Sequence, residues 1–473
     1  MTNPALSSVL SKLNNSVQYS DSGIQILDEG ALRAKIGELA RLSALGSGAE
    51  QAWARYLTRL ISLELGAIPS SIHDLYMARG RGEVPPTFTV PAMNLRALSF
   101  DAARCVFRIA KRIGAGAFIF EIARSEIGYT EQRPAEYVTN ILAAALAEGY
   151  RGPVFIQGDH FQISPKRYKE DAGKEIAAVE EITAEAMQAG FFNIDIDTST
   201  LVDISQVGES AQQKLNSELS ARFTSFIRER QPESVTVSVG GEIGEVGGRN
   251  SNEAELRAYV EGYRQALAAK APGAVGLSKI SIQTGTSHGG VVLPDGTVAK
   301  VKVDFDTLLK LSRVAREEYG FAGAVQHGAS TLPQEAFGKF VESEACEVHL
   351  ATNFQNMMYD RLPKQFMSAV YLYVNTKYGA DRKTGQTNEQ FHYEGRKRAL
   401  GPFKPDLWSL TGADRQVVIE AWEKQFATLF ELLAIGDTKK HIDQFVTPVK
   451  VIPNREFYFG EEVEQEEVKD LSD

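Results

Sequence analysis

The segment Val154-Phe-Ile-Gln-Gly-Asp-His160 joins a short apolar run to two ionisable side chains at its end. Similar runs recur along the chain, separated by longer segments that carry apolar residues at helical spacing. Eight such runs cover residues 88–93, 117–122, 154–158, 191–196, 235–239, 279–283, 323–326 and 346–350. Because strands that are covered on both faces are apolar throughout, this alternation predicts parallel strands connected by helices.

Eight runs favour a closed (β/α)8 barrel, the TIM barrel, which is an α/β fold. A doubly wound open sheet would instead carry a glycine-rich phosphate loop after its first strand, and residues 88–95 are followed by no such loop. The chain has 473 residues, whereas a barrel needs about 250. We therefore predict a helical N-terminal extension over residues 1–80, the barrel over 81–375, and a C-terminal helical extension with an acidic tail over 376–473. The aromatic residues 457–459 before that tail predict a final anchor.

The composition argues against several functional classes. A formal net charge of −10 argues against a nucleic-acid partner, because binding to phosphates requires concentrated positive charge. The N-terminus has no basic stretch followed by an apolar core, and no apolar stretch reaches the length of a membrane span, so we expect a cytoplasmic protein with no membrane partner. The two cysteines, Cys105 and Cys346, are expected to be buried thiols.

Polar side chains follow the ends of five successive runs. Because the carboxyl ends of barrel strands meet at one rim, these side chains are expected to converge there. Three imidazoles with an open coordination position suit a catalytic zinc ion, whereas one such histidine alone would be interpreted as a rim or core residue. The rim residues are Asp159 and His160 on the third run, Asp197 on the fourth, Glu242 on the fifth, His288 after the sixth and His327 on the seventh.

Six segments, in this order, resemble those of class II fructose-bisphosphate aldolases, with further similarity to tagatose-bisphosphate aldolase subunits. The resemblance covers about residues 88–360. The segments are Gln157-Gly-Asp-His, Ile194-Asp-Ile-Asp-Thr-Ser, Gly241-Glu-Ile-Gly-Glu-Val-Gly-Gly, Gly285-Thr-Ser-His-Gly, His327-Gly-Ala-Ser and Val348-His-Leu-Ala-Thr-Asn.

The resemblance implies a role for each rim residue. A catalytic Zn2+ would be bound by His160, His288 and His327, while Asp197 and Glu242 would serve a second or alternate metal position. Asp159 would be the proton-transfer acid/base. The alternative for Asp197 and Glu242 is an orienting or charge-pairing role. A substrate phosphate would be bound by small and hydroxyl residues, for which simple loop geometry is the alternative; they are Gly289, Gly328, Ser330, Thr352 and Asn353.

The implied activity is zinc-dependent cleavage of a phosphorylated sugar. Fructose 1,6-bisphosphate would yield dihydroxyacetone phosphate and glyceraldehyde 3-phosphate through a zinc-stabilised enediolate. Tagatose bisphosphate or another anionic ketose, an isomerase or epimerase reaction, and a non-catalytic aldolase subunit stay open as alternatives. Another divalent metal, or an additional metal or monovalent cation, is compatible with the same ligands. The resemblance also implies a homo-oligomer, either a dimer or a tetramer.

Three positions depart from the family pattern. Asn250 stands where the family has an acidic loop residue, and Glu245 and Glu253 are the candidates to replace it; His349 stands where the family has asparagine, and Ala351 where it has a phosphate-site aspartate. These departures bear on proton transfer and on phosphate recognition. The residue that would bind a second phosphate is open among Arg124, Arg249, Arg396 and Arg398, each of which has a solvated surface charge as its alternative.

Overall fold

The computed structural model describes residues 3–20, 23–244, 249–285, 293–294, 303–329 and 332–460. Strands β4 to β11 form a closed ring in chain order, every neighbouring pair is parallel, and β11 pairs with β4 to complete the ring. All eight apolar runs are therefore strands, which confirms the predicted (β/α)8 barrel. The strands are β1 Val17–Ser20, β2 Gly23–Ile26, β3 Ala67–Ser70, β4 Val90–Asn94, β5 Ile119–Ala123, β6 Gly152–Gln162, β7 Asn193–Asp197, β8 Ser238–Glu242, β9 Lys279–Ile282, β10 Ala324–Gln326 and β11 Glu347–Leu350.

A helix follows each barrel strand along the chain, and α10 shows why these segments are helical. The side chain of Asp171 caps its first turn by accepting the N–H of Lys174, and Gly190 ends it in the left-handed conformation. The helices are α1 Pro4–Lys12, α2 Glu29–Lys35, α3 Gly37–Leu45, α4 Gly48–Leu65, α5 His73–Gly80, α6 Ser99–Ile113, α7 Arg124–Tyr129, α8 Pro134–Ala147, α9 Pro165–Glu170, α10 Ala172–Ala189, α11 Glu209–Gln212, α12 Lys214–Arg230, α13 Glu253–Lys270, α14 Phe305–Glu317, α15 Gly338–Glu342, α16 Thr352–Tyr359, α17 Lys364–Tyr378, α18 Asn388–Gly395, α19 Lys404–Trp408, α20 Gly412–Leu432, α21 Lys439–Phe445 and α22 Arg455–Phe459.

The N-terminal segment contains strands besides the helices that its sequence predicts. β1 and β2 pair antiparallel, and β3 pairs in parallel with the beginning of β6, outside the closed ring. Pro69 in β3 has no N–H to donate, and it is tolerated because β3 is an edge strand. Each of these strands has four residues, which is too few for a strand period to be recognised in the sequence.

The C-terminal segment packs on both the barrel and the N-terminal helices. α20 lies against α6, where Arg108 and Glu423 form an ion pair at 3.0 Å. In α22, Phe459 contacts Trp53 of α4 edge to face, with ring centroids 4.9 Å apart. The predicted aromatic anchor is thereby confirmed. Residues 461–473 lie outside the described part of the chain.

Both cysteines are buried, as the sequence predicts. Burial raises the pKa of the Cys105 and Cys346 thiols to about 12, so neither forms a thiolate readily. Among the helices that the structure describes, none combines the length and the apolar character needed to cross a membrane.

A β-bulge in β6 directs two consecutive side chains toward the barrel interior. Gly158 pairs with Ile194 of β7 whereas Phe161 pairs with Ile196, so Asp159 and His160 together oppose a single residue. His160 has a left-handed φ of 40° at this point. A regular strand would send the two side chains to opposite faces. Here both are buried, and both contact side chains from other barrel strands.

We expect Gly158→Ala to destabilise the protein and to disturb the bulge. A Cβ at position 158 would lie 2.5 Å from the ring of Phe161, which is fully buried. Overpacking of this kind should lower the free energy of unfolding by about 1–3 kcal/mol, measured by urea denaturation.

Gly412→Ala is the matched control, because a Cβ at the start of α20 meets no neighbouring atom. It should be neutral or stabilise the protein by up to about 1 kcal/mol. Equal unfolding free energies for the two variants would contradict the packing argument.

Candidate functional site at the carboxyl ends of the barrel strands

Four of the predicted rim residues meet at the carboxyl ends of the strands. Nδ1 of His160 lies 3.1 Å from Oδ2 of Asp197 and 3.5 Å from Oε2 of Glu242. The imidazole rings of His160 and His327 have centroids 4.3 Å apart. All four side chains are buried. The barrel therefore brings together residues from β6, β7 and β8 and the residue that follows β10.

His160, Glu242 and His327 form a candidate metal site. Each offers one ligand atom, and these atoms lie within 4.8 Å of one another. Two imidazoles and a carboxylate are a donor set suited to zinc or a similar divalent ion. The hydroxyl of Ser281 lies 2.9 Å from Nε2 of His327 and helps to fix that ring. His288, the third predicted imidazole, lies outside the described residues.

Asp197 is occupied by donors from its own surroundings. Its Oδ1 accepts hydrogen bonds from the N–H and the hydroxyl of Ser199 at 3.0 and 2.7 Å, and its Oδ2 accepts one from Gln162. Burial opposes ionisation, but the hydrogen bond with His160 lowers the pKa of Asp197 below its usual value. This geometry suits an aspartate that orients a histidine ligand, the alternative that the sequence leaves open.

Negative charge accumulates at this rim. Burial and the neighbouring Asp197 raise the pKa of Glu242 well above its ordinary value. Burial lowers the pKa of His160, but Asp159, Asp197 and Glu242 outweigh that effect and raise it well above the ordinary value. Carboxylates packed this closely resist ionisation unless a positive charge lies among them. The electrostatics of the rim therefore favour a bound cation.

His349 also belongs to the site, although its sequence position indicates only a departure from the family pattern. Its ring stacks on that of His327, with centroids 4.0 Å apart and an interplanar angle of 24°. Its Nδ1 lies 3.1 Å from Oδ1 of Asp159. The sequence signal is the spacing of Glu347 and His349 in β11, because residues two apart in a strand share one face.

A second polar layer lies deeper in the barrel, toward the starts of the strands. We call it the interior cluster. Its central cation is Lys279, the first residue of β9, whose Nζ lies 2.9 Å from Asp195 and 2.6 Å from Glu347. Branched apolar residues usually fill a barrel interior, so this layer is an unusual use of the core. The cluster consists of Glu121, Gln157, Asp195, Lys279, Glu347 and His349.

Charge compensation holds the interior cluster together. Burial raises the pKa of Asp195 to about 6, against the opposing effect of Lys279. For Glu347 burial acts in the same direction, but Lys279 and His349 outweigh it and hold the pKa below its usual range. Tyr76 of α5 donates a hydrogen bond to Glu347, so the N-terminal segment contributes to the barrel interior.

The predicted phosphate-binding residues that the structure describes lie at the ends of β10 and β11. Gly328 has a φ of 69°, a conformation that favours glycine. Thr352 and Asn353 begin α16, whose N-cap residue Ala351 supplies no side-chain hydrogen bond. Backbone N–H groups at a helix start are suited to bind an anion. Gly289 and Ser330 lie outside the described residues, as does Glu245.

Three of the four arginines considered for a second phosphate are closely paired with carboxylates. Arg396 differs from them, because its Nη2 donates to Oδ1 of Asn356 at 2.6 Å whereas Asp360 lies 3.9 Å away. The three close pairs are Arg124 with Glu175, Arg249 with Glu255, and Arg398 with Asp381.

The loop residues considered for proton transfer make contacts near the start of α14. Asn250 donates to Oδ2 of Asp304, the N-cap of that helix, at 3.1 Å. Glu253 lies 3.4 Å from Lys310 of the same helix. These contacts connect α13 and the residues before it to α14.

A sequence model of the family described as fructose-bisphosphate aldolase class-II matches residues 86–399. This interval begins just before β4 and extends beyond β11, so it contains the whole barrel and the rim residues. No curated protein sequence gives a significant match to the chain.

Comparison with solved structures gives matches of low sequence identity. A protein described as a probable tagatose 6 phosphate kinase from Sinorhizobium meliloti 1021 matches with a TM-score of 0.54 and 17% identity, over 74% of this chain and 100% of that chain. The fructose-bisphosphate aldolase of Campylobacter jejuni matches with a TM-score of 0.43 and 14% identity, over 76% and 93% of the two chains. The YdjI aldolase of Escherichia coli K12 matches with a TM-score of 0.39 and 13% identity, over 71% of this chain and 97% of that chain. At 17% identity, the match to the Sinorhizobium meliloti protein supports the fold alone.

We expect the purified chain to bind about one zinc ion at the rim. His327→Ala should abolish this binding, because it removes a ligand, whereas Asp197→Asn should weaken it by about 10–100-fold, because it removes only an orienting group. Zinc per chain and zinc affinity are measured by metal analysis and competition with a chelator.

His392→Ala is the control, since His392 lies on α18, where it stacks on Tyr371 and contacts Asn375. It should bind zinc like the wild type. Wild-type zinc affinity in His327→Ala would show that the rim is not the metal site.

Proposed function

Because the chain belongs to the class II fructose-bisphosphate aldolase family, we propose that it is a metal-dependent aldolase that cleaves a ketose phosphate. The proposed substrate is fructose 1,6-bisphosphate, and the products are dihydroxyacetone phosphate and glyceraldehyde 3-phosphate. The observation that carries the proposal is the convergence of His160, Glu242 and His327 beside Asp159 at the carboxyl ends of the strands. Barrel enzymes hold their active sites at this end.

The proposed metal is Zn2+, bound by His160, His288 and His327, with Glu242 as a further or alternate ligand. A bound divalent cation would act as a Lewis acid that stabilises negative charge on the substrate oxygens while the carbon–carbon bond breaks. Asp197 holds His160 through Nδ1 at 3.1 Å, which orients the imidazole for this role.

Asp159 is proposed as the acid/base. Cleavage converts the hydroxyl beside the breaking bond into an aldehyde carbonyl, so that hydroxyl must lose its proton to a nearby base. Oδ1 of Asp159 lies 3.9 Å from Nε2 of His160, and the side chain is buried. A carboxylate in this position can accept the proton while water is largely kept out. In the condensation direction the same group returns the proton.

The substrate phosphate is proposed to bind where β10 and β11 end. The N–H groups at the start of α16, together with the hydroxyl of Thr352 and the backbone at Gly328, provide donors without a fixed charge. Asn353 adds a side-chain amide on the same helix turn. Gly289 and Ser330 complete the proposed set.

Lys279 is not suited to a Schiff-base mechanism, which requires a neutral amine. Burial lowers its pKa, but Asp195 and Glu347 outweigh burial and raise the pKa above its ordinary value. The side chain therefore stays an ammonium ion within the interior cluster. This observation favours metal-assisted cleavage over attack by that lysine.

A second candidate substrate is tagatose bisphosphate or another anionic ketose. The observation that favours it is Ala351, which gives α16 no capping side chain at the position where the family resemblance implies an aspartate. A changed phosphate site allows a changed preference among ketose phosphates.

Chelation should abolish cleavage of fructose 1,6-bisphosphate, and zinc should restore it. Asp159→Asn should lower kcat by about 100-fold or more, because general acid/base catalysis contributes about 10²–10⁴-fold. Its zinc content and KM should change little. Release of triose phosphates from a panel of ketose bisphosphates is the measurement.

Asp203→Asn is the control, because Asp203 is an exposed carboxylate of the loop after β7 and should not affect kcat. Borohydride with substrate should leave the wild type active. Inactivation by borohydride would indicate a lysine Schiff base and overturn the mechanism.

Thr352→Val should raise KM by about tenfold with little change in kcat, because it removes one hydrogen bond to a charged phosphate while its shape is kept. The inhibition constant of inorganic phosphate should rise by the same factor. Thr376→Val on the exposed face of α17 is the control. An unchanged KM would place the phosphate elsewhere.

A further inference from the structure

His349 lies between two carboxylates of different layers. Its Nε2 lies 2.7 Å from Oε1 of Glu347, in the interior cluster, and its Nδ1 lies 3.1 Å from Oδ1 of Asp159, at the rim. Glu121 also faces Nδ1, at 3.0 Å. Each ring nitrogen therefore lies within ion-pair distance of a carboxylate oxygen, although neither has the alignment of a hydrogen bond. The imidazole connects Asp159 to the deeper layer.

The deeper end of this connection is fixed on several sides. Glu347 accepts from Lys279 at 2.6 Å, from Gln157 at 2.9 Å, and from the hydroxyl of Tyr76. These groups come from β9, β6 and α5, and all are buried. A carboxylate held by three donors on separate elements has little freedom to move. It is therefore a firm anchor for His349.

The ring plane of His349 is fixed as well. It stacks on His327 with centroids 4.0 Å apart, so rotation about χ2 would break both the stacking and the contacts of the two nitrogens. The side chain is 5% exposed. Its Nδ1 is thus held close to the carboxylates of Asp159 and Glu121.

We propose that His349 is a positioning residue that fixes the carboxylate of Asp159 beside the metal ligands, and that Glu347, Lys279 and Tyr76 hold it in place. The inference rests on the proposed function, in which Asp159 transfers the proton. Positioned acid/base groups lose efficiency steeply when their geometry loosens. The alternative role of His349 is a cation that only compensates the buried carboxylates.

Two substitutions separate these roles. In asparagine the amide nitrogen is separated from Cβ by the same number of bonds as Nδ1 of histidine, and in glutamine by the same number as Nε2. His349→Asn therefore keeps an N–H group on the side of Asp159 and Glu121, whereas His349→Gln keeps one on the side of Glu347. Both are neutral amides, so both remove any positive charge equally. A purely compensating role predicts equal effects.

The experiment measures kcat and KM for cleavage by the zinc-loaded full-length chain. His349→Ala and His349→Gln should lower kcat by about 100-fold, His349→Asn by no more than about fivefold, and KM should stay within about threefold in all three variants. Zinc per chain and the melting temperature are measured in parallel. Equal losses of kcat in His349→Asn and His349→Gln overturn the inference while leaving the aldolase assignment intact. A wild type that cleaves no ketose phosphate overturns the proposed function, and the inference with it.

Tyr76→Phe tests whether His349 positions Asp159 if the variants at position 349 do not fold. It removes only the hydroxyl that binds Glu347, at the end of the connection farthest from the rim. We expect kcat to fall at least about threefold with KM unchanged. Tyr263→Phe, which removes a buried hydroxyl bound to Thr224 between α12 and α13, is the control and should retain wild-type kcat. An unchanged kcat in Tyr76→Phe overturns the inference.

Discussion

In a regular strand consecutive side chains face opposite sides, so Asp159 and His160 could not both enter the barrel interior. The bulge in β6 removes this restriction, because it adds one residue to the strand and shifts the register against β7 by one between Gly158 and Phe161, where His160 has a left-handed φ. Gly158 leaves the space in which the Phe161 ring packs. Local backbone geometry thus places a carboxylate and an adjacent imidazole at one rim. The other rim residues need only end their own strands at the same level.

The bulge places the carboxylate of Asp159 above the interior cluster, which is already charged. Breaking a buried ion pair costs about 3–5 kcal/mol, so the partners of each carboxylate constrain the whole interior. At the strand starts Lys279 lies between Asp195 and Glu347. His349 continues the compensation upward to Asp159. The barrel core is therefore organised by charge pairing where branched apolar packing is usual.

The sequence predicts the parts of the molecule that follow from strand period and strand number. The eight strands and the convergence of their polar ends follow from the apolar runs and from barrel geometry. The bulge cannot be predicted in this way, because a regular strand can also end in two consecutive polar residues such as Asp159 and His160. The interior cluster cannot be predicted either, since pairing of Lys279 with Glu347 depends on the register between β9, β10 and β11. The contact of Tyr76 with Glu347 could not be predicted either, because Tyr76 lies on α5, a helix outside the repeating strand and helix units.

The rim and the interior cluster differ in the source of their positive charge. In the deeper layer it comes from Lys279, which is part of the chain. At the rim the close ion pairs of Asp197 and Glu242 are made with His160, whose pKa these carboxylates raise although burial lowers it. An imidazole must be neutral to bind a metal, so a metal bound here would replace the proton that otherwise supplies this charge. Burying Asp197 and Glu242 is costly when no cation lies between them. The same two carboxylates would therefore strengthen the affinity of the rim for a cation.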